Sequence, residues 1–205
     1  MIFIKTIVLP GDLISEKPLR VENTFLENSK TYSKVLGIYD KTNNNIVPLE
    51  GSWIPHISDK VVGVVIRSRN TVYEVDLLHF TRSIMIGSKF DRHIFKAGEP
   101  IEAVIKDIES RKTIILEEAK SLYGGVVIRI KPTKIPRIIG KSNTMIKQIT
   151  EATKSQVVVG MNGLIWIKGG NLALATEAIL KIENEAHTSG LTERIKKMLY
   201  EQMVK

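Results

Sequence analysis

Residues 124–168 contain the pattern that most restricts what this chain can fold into. An apolar run of strand length at 126–130 is followed by Pro136, which suits the first turn of a helix. A glycine loop at 140–143 leads into residues 144–153, whose apolar side chains recur at helical spacing. Residues 160–163 contain Asn-Gly, a strong signal for a turn between two paired strands. The pattern predicts the order strand, helix, glycine loop, helix, strand, strand.

Two further helices are predicted after this segment. Apolar residues recur at helical spacing over 172–186 and again over 191–204, and Gly190 separates the two runs. Residues 122–205 are therefore expected to form an α+β domain that ends in an additional helix.

Residues 53–121 have the pattern of a small all-β domain. Short runs rich in β-branched residues alternate with polar turns, as in a five-stranded barrel. The predicted strands cover residues 61–68, 71–78, 82–86, 101–108 and 113–116. The fold class is therefore multidomain and mainly β, with an α+β C-terminal part.

Residues 1–52 are predicted to form a small N-terminal β domain. Its strands would cover residues 2–9, 31–39 and 46–49, with Gly37 as a bulge in the second. Basic and acidic side chains are equal in number here, six of each. A unit of this size buries little core by itself, so it is expected to lean on a neighbour or a partner protein.

The positive charge of the chain is concentrated near its C-terminus. The net charge is +8, and residues 122–205 carry 13 basic but only 6 acidic side chains. Within residues 122–154 the basic side chains are Arg129, Lys131, Lys134, Arg137, Lys141, Lys147 and Lys154. Such a patch favours a polyanionic partner and salt-dependent binding. The alternative is a solvated basic face without a partner.

Aromatic and basic side chains interleave in the second and third strands of the predicted barrel and the adjoining loops. Aromatic rings stack on bases while cations follow the phosphate backbone. The candidate RNA-binding residues are Arg67, Arg69, Tyr73, Phe80, Arg82, Lys89, Phe90, Arg92 and His93. The alternative is that the rings are core and the arginines are solvated turn residues; for Tyr73 and Phe80 individually, core is favoured.

Several classes of protein are disfavoured by the sequence. The chain has no cysteine, and its four histidines lack the spacing of metal ligands, so neither a metal nor a cofactor is expected. The Gly-Lys-Ser at 140–142 lacks the earlier glycine of an ATP-binding loop. No apolar run approaches the roughly 20 residues of a membrane-spanning helix. The N-terminus is interpreted as a strand, not a signal peptide, and we expect a cytoplasmic protein that is not an enzyme.

The predicted element order and the sequence Ile-Ile-Gly-Lys-Ser-Asn-Thr-Met-Ile-Lys-Gln-Ile at 138–149 resemble a type I KH domain. KH loops clamp RNA between two glycines, whereas the fourth loop position here is asparagine. The barrel resembles an S1 domain. Together with Val-Leu-Pro-Gly-Asp at 8–12 and Val-Gly-Met-Asn-Gly-Leu-Ile-Trp-Ile at 159–167, the whole chain resembles the RNA-binding cap subunits of the archaeal exosome.

The resemblance implies three domains: an N-terminal β domain at 1–52, an S1 domain at 53–121 and a KH domain at 122–205. It implies RNA contacts in the KH domain at Arg137, Gly140, Lys141, Ser142, Asn143, Gly160, Met161, Asn162 and Gly163. It also implies three cap copies, possibly mixed with another cap subunit, on a hexameric ring of phosphorolytic subunits. The cap would recruit single-stranded RNA, including A-rich tails, and guide its 3′ end into the ring. Alternatives are an S1-KH transcription or ribosome-associated factor and a purely structural ring clamp.

Overall fold

The computed structural model describes residues 5–87, 94–109, 113–186, 188 and 190–203. It divides the chain into two compact units, Met1–Ser52 and Trp53–Lys205. Four candidate RNA-binding residues of the barrel, Lys89, Phe90, Arg92 and His93, lie outside the described residues.

The first unit consists of two three-stranded antiparallel sheets. Its strands are β1 (Lys5–Val8), β2 (Leu13–Ser15), β3 (Thr24–Glu27), β4 (Lys30–Ser33), β5 (Gly37–Asp40) and β6 (Asn45–Pro48). One sheet has the order β1-β5-β6 and the other β2-β4-β3. Val8, Tyr39 and Ile46 form its small buried core.

The prediction of one strand over residues 31–39 is wrong, because β4 and β5 belong to different sheets. The Ser33 hydroxyl donates to the Val35 carbonyl at 2.8 Å and accepts from the Val35 amide, which turns the chain between them. Gly37 begins β5 instead of forming a bulge. A Cβ there would lie 2.7 Å from the Ile46 side chain and 2.8 Å from the Val47 carbonyl oxygen, so the close approach of β6 requires glycine.

The second unit begins with a closed five-stranded barrel. Its strands are β7 (Lys60–Arg69), β8 (Val72–Asp76), β9 (Ser83–Ile86), β10 (Pro100–Ile108) and β11 (Ile114–Ser121), in the order β10-β11-β9-β8-β7. Only the β9–β11 pairing is parallel among these described strands. Inward-facing residues such as Val61, Val75 and Ile105 fill the interior.

The rest of this unit is a three-stranded antiparallel sheet with helices on one face. Its elements are β12 (Val126–Arg129), α1 (Ile135–Ile139), α2 (Thr144–Thr153), β13 (Gln156–Val159), β14 (Leu164–Lys168), α3 (Leu172–Glu185) and α4 (Leu191–Met203). The sheet order is β12-β14-β13, and α4 packs on α2 and α3. This architecture has the predicted N-terminal β unit, five-stranded barrel and C-terminal α+β part, with the C-terminal elements in the predicted order.

Both faces of β14 are buried, for different reasons. Ile165 and Ile167 point into the core beneath the helices. Leu164 and Trp166 point the other way and form a second cluster with Val62 of β7 and with Leu122. The KH sheet therefore packs its helix-free face against the outside of the barrel.

Candidate nucleic-acid interface

Two arginines on the outer face of the barrel share one carboxylate. Arg82 Nε donates to Glu74 Oε1 at 3.1 Å, and Arg67 Nη1 lies 3.7 Å from Glu74 Oε2. Both guanidinium groups remain largely exposed, and Arg69 is exposed at the end of β7. Exposed ion pairs contribute only about 0–1 kcal/mol. A phosphate can therefore compete with Glu74 for either arginine.

Phe80 belongs to a short series of aromatic rings between β8 and β9. Its side chain is 84% exposed, and its ring centroid lies 4.2 Å from that of His79. The His79 ring meets Trp53 edge-on at 5.5 Å. Partial burial lowers the pKa of His79 below its usual value, which favours the neutral imidazole. The Phe80 ring is therefore not part of the core, and its exposed surface is accessible for stacking with a base.

Tyr73 lies in the barrel core. Only 5% of it is exposed, and its ring packs edge-on against Phe95 with centroids 5.4 Å apart. Residues alternate in direction along β8, so Tyr73 points inward together with Val75. The structure therefore removes Tyr73 from any RNA surface.

The loop at 140–143 keeps a glycine-like backbone despite its asparagine. Gly140, Ser142 and Asn143 all have positive φ, at 73°, 52° and 62°. A Cβ at Gly140 would lie 2.8 Å from the Met145 amide nitrogen, so this position requires glycine. Lys141, Ser142 and Asn143 are exposed at the start of α2, and Arg137 is exposed on α1. The candidate residues Arg137 and 140–143 therefore lie together on one surface.

The candidate residues of the other loop, 160–163, lie between the barrel and the KH domain. Asn162 is only 7% exposed; its Nδ2 donates to the carbonyls of Val62 and Leu77 at 2.7 and 3.0 Å. Its Oδ1 accepts from the Val62 amide at 3.2 Å. Met161 N donates to the Lys60 carbonyl at 2.8 Å. This loop therefore joins the KH domain to the barrel.

Glycine is required at both ends of this loop. A Cβ on Gly160 would lie 2.6 Å from the Val62 amide nitrogen, and one on Gly163 would lie 2.4 Å from the Ile130 carbonyl oxygen. Gly160 and Gly163 are both buried. The Asn-Gly signal predicted the hairpin, but burial of the asparagine could not be seen without the barrel surface that it contacts.

Sequence reasoning did not select Trp53 or His79 for the barrel surface. The position of Trp53, an aromatic residue just before the first barrel strand, could have indicated its place on the barrel surface. Its Nε1 donates to Asp59 Oδ2 at 3.0 Å. Across the described parts of the chain, no group of three His, Cys, Asp or Glu residues is arranged to hold a metal ion. None of the described helices is long and apolar enough to cross a membrane.

A closed five-stranded barrel joined to a domain with the KH element order is the architecture of a class of RNA-binding protein, and comparison with known proteins supports this class. Residues 5–50 match the exosome RNA binding protein RRP4 N-terminal domain, and residues 125–173 match the KH domain. The exosome complex component Rrp4 of Pyrococcus furiosus is 37% identical, over 97% of this chain and 84% of its own. That of Picrophilus torridus is 36% identical, over 96% and 93%.

A solved structure assigned as an exosome complex RNA-binding protein superimposes with a TM-score of 0.65. It is 27% identical and matches 74% of this chain and 97% of its own. This chain belongs to the family of the exosome complex component Rrp4. The predicted resemblance to exosome cap subunits is thereby confirmed.

Proposed function

We propose that this chain is a non-catalytic RNA-binding cap subunit of the exosome. It recruits single-stranded RNA, including A-rich tails, and guides the 3′ end into a phosphorolytic ring for 3′-to-5′ degradation. The observation that carries this proposal is the fixed barrel–KH pair, which displays two basic surfaces on one body. The relatives' shared name, exosome complex component Rrp4, supports the assembly. The proposed domain division is 1–52, 53–121 and 122–205.

The proposed RNA surface has a barrel part and a KH part. The barrel contributes three cations and one exposed ring, and the KH domain contributes the exposed glycine loop with the arginine before it. These residues are Arg67, Arg69, Phe80, Arg82, Arg137, Gly140, Lys141, Ser142 and Asn143. The cations would bind phosphates, while the Phe80 ring would stack on a base. The buried loop at 160–163 has a structural role in this proposal.

The proposed protein partner is the hexameric ring of phosphorolytic subunits. Three copies of this chain, or a mixture with another cap subunit, would bind one ring, and the complex would be cytoplasmic. The first unit offers a suitable contact surface. In the β1-β5-β6 sheet, Ile7, Ile38 and Val47 are cross-strand neighbours on the face opposite to the core. Ile7 is 67% and Val47 51% exposed. A row of apolar residues with exposed members at both ends and the half-buried Ile38 between them is typical of a protein contact.

The full chain is expected to bind single-stranded RNA in a salt-dependent manner. Raising KCl from about 50 to about 200 mM should weaken binding at least about tenfold, because each phosphate contact releases counterions. Fluorescence anisotropy with a labelled A-rich oligonucleotide measures this change. A chain that binds no RNA at low salt but still joins the ring would be a structural clamp, contrary to the proposal.

A charge-matched pair of variants locates the contribution of the KH loop. Replacing both Arg137 and Lys141 by glutamine should lower the slope of log affinity against log salt by about 1.4, the value for two lost contacts to a single strand. The control replaces Lys17 and Lys34, two exposed lysines of the first unit. Equal slopes for the two double variants would remove the KH loop from the proposed surface.

The chain alone is expected to leave RNA intact and to accelerate phosphate-dependent shortening by a purified ring. Recruitment raises the local RNA concentration at the ring, so the acceleration should be largest at low RNA concentration and low salt. Gel analysis of labelled RNA with and without phosphate measures both reactions. Phosphate-dependent shortening by the chain alone would show that it is an enzyme.

A further inference from the structure

Tyr123 is an exposed aromatic residue in the segment that joins the barrel to the KH domain. It lies between β11, which ends at Ser121, and β12, which begins at Val126. Its side chain is 81% exposed, and the Lys168 ammonium lies 5.8 Å from its ring centroid. Neither residue belongs to the RNA surface proposed above.

The backbone around Tyr123 is held from both sides. Before it, Leu122 is buried and its amide donates to the Pro100 carbonyl at 2.9 Å. After it, Trp166 Nε1 donates to the Gly124 carbonyl oxygen at 2.6 Å. Gly125 has φ of 78°, and a Cβ there would lie 2.3 Å from the Ile167 carbonyl oxygen. The tyrosine is therefore presented by ordered backbone, which reduces the entropy lost when a ligand binds.

A second cation shares this face of the KH sheet. In β12, Arg129 lies opposite Leu164, and Val127 lies opposite Trp166. Side chains alternate along β14, so Lys168 points to the same side as Leu164 and Trp166. Arg129 and Lys168 have no carboxylate partner among the described residues. The face thus combines the exposed Tyr123 ring with an exposed Arg129 and a half-buried Lys168.

We propose that Tyr123, Lys168 and Arg129 form a nucleotide-binding site, here called the junction site, for single-stranded RNA. A base stacks on the Tyr123 ring, and the adjoining phosphates pair with Lys168 and Arg129. By the strand register Lys168 lies level with Gly125, four residues before Arg129, so the backbone positions of the two residues are about 13 Å apart along the strands. A short stretch of sugar-phosphate backbone covers that distance.

The chemistry of the junction site favours RNA over a protein partner. One tyrosine and Val127 offer an apolar area far below the roughly 800 Å² per partner of a stable protein interface. A single ring beside two cations matches the combination that binds unpaired nucleotides without sequence preference. The inference rests on the proposed RNA-binding function and extends the RNA path from the barrel across the domain junction.

The test compares two exposed tyrosines in the full chain. Tyr123→Ala should weaken binding of an A-rich oligonucleotide about tenfold, as expected for loss of one base stack, while Tyr123→Phe keeps the affinity. Tyr200→Ala is the matched control, because Tyr200 is 67% exposed on α4. Equal affinities for Tyr123→Ala and Tyr200→Ala would overturn the junction site but leave the proposed function intact. Absence of RNA binding by the unchanged protein would overturn both.

Two further measurements separate stacking and charge from a folding defect. Photo-crosslinking of RNA with a photoreactive uridine, followed by mass spectrometry, should identify Tyr123 in the unchanged protein. The double variant Arg129→Gln with Lys168→Gln should lower the salt slope by about 1.4, with the circular dichroism spectrum unchanged. An unchanged slope would exclude the phosphate contacts. If Tyr123→Ala retains RNA affinity but loses binding to the ring, the residue contacts protein instead.

Discussion

Replacing Asn162 by alanine is expected to lower the free energy of unfolding by about 3–5 kcal/mol, the largest stability effect that we predict. The substitution removes three hydrogen bonds and leaves the Val62 amide and the Val62 and Leu77 carbonyls without their Asn162 partner. These groups are buried, so water does not replace the lost partner without opening the contact. Urea unfolding followed by circular dichroism measures the change.

The same variant should lose cooperativity between the barrel and the KH domain. Asn162 reaches the barrel across 100 residues of sequence, and without it the contact retains the small Val62–Trp166 cluster and the Met161 hydrogen bond. Tryptophan fluorescence should then report two transitions where the unchanged protein shows one. Asn184→Ala, at an exposed position of α3, is the matched control and should change stability by less than about 0.5 kcal/mol. An equally small effect at Asn162 would contradict the joining role of the loop.

The double substitution Ile7→Asp with Val47→Asp is expected to weaken association with the phosphorolytic ring more than about a hundredfold. Both side chains are exposed in the first unit, so folding should be little affected. If the row that they share with Ile38 is covered by a ring subunit, two carboxylates become buried without partners. Size-exclusion chromatography and calorimetry with the purified ring measure the association.

The control for this experiment is Leu26→Asp. Leu26 is 55% exposed in the other sheet of the same unit, so it matches the apolar character and exposure of the two substituted residues. RNA binding by the isolated double variant should equal that of the unchanged chain, because its basic surfaces lie in the second unit. Normal ring association by the Ile7 and Val47 variant would show that the ring binds elsewhere.

Local patterns were sufficient to predict most elements of the second unit. The helical spacing of residues 144–153 corresponds to α2, and Asn-Gly at 162–163 lies in the turn between β13 and β14. These signals act over a few residues, so the neighbouring sequence contains the relevant physics. The strand predicted over 31–39 failed because two short strands separated by a serine-stabilised turn resemble one longer apolar run.

Candidate site residues were less predictable than elements, because exposure depends on what packs against them. Tyr73 and Phe80 both lie in the β8–β9 region, yet one is in the core and the other projects outward. Asn143 has the positive φ that a loop asparagine often adopts. Asn162 also lies in a glycine-containing turn, but it is buried in the contact between the KH domain and the barrel. The two asparagines differ in their surroundings and not in their side-chain chemistry.

The sequence alone determined the class of protein: a neutral β unit, a barrel and a basic KH domain follow from periodicity, turn residues and charge. Only the tertiary structure decided which glycine loop is exposed. Packing of the barrel against the helix-free face of the KH sheet covers residues 160–163 and leaves 140–143 open. The same packing holds Leu122 and Gly124 and so presents Tyr123 to solvent. Burial is a property of surfaces brought together from distant parts of the chain, and for that reason local sequence did not reveal it.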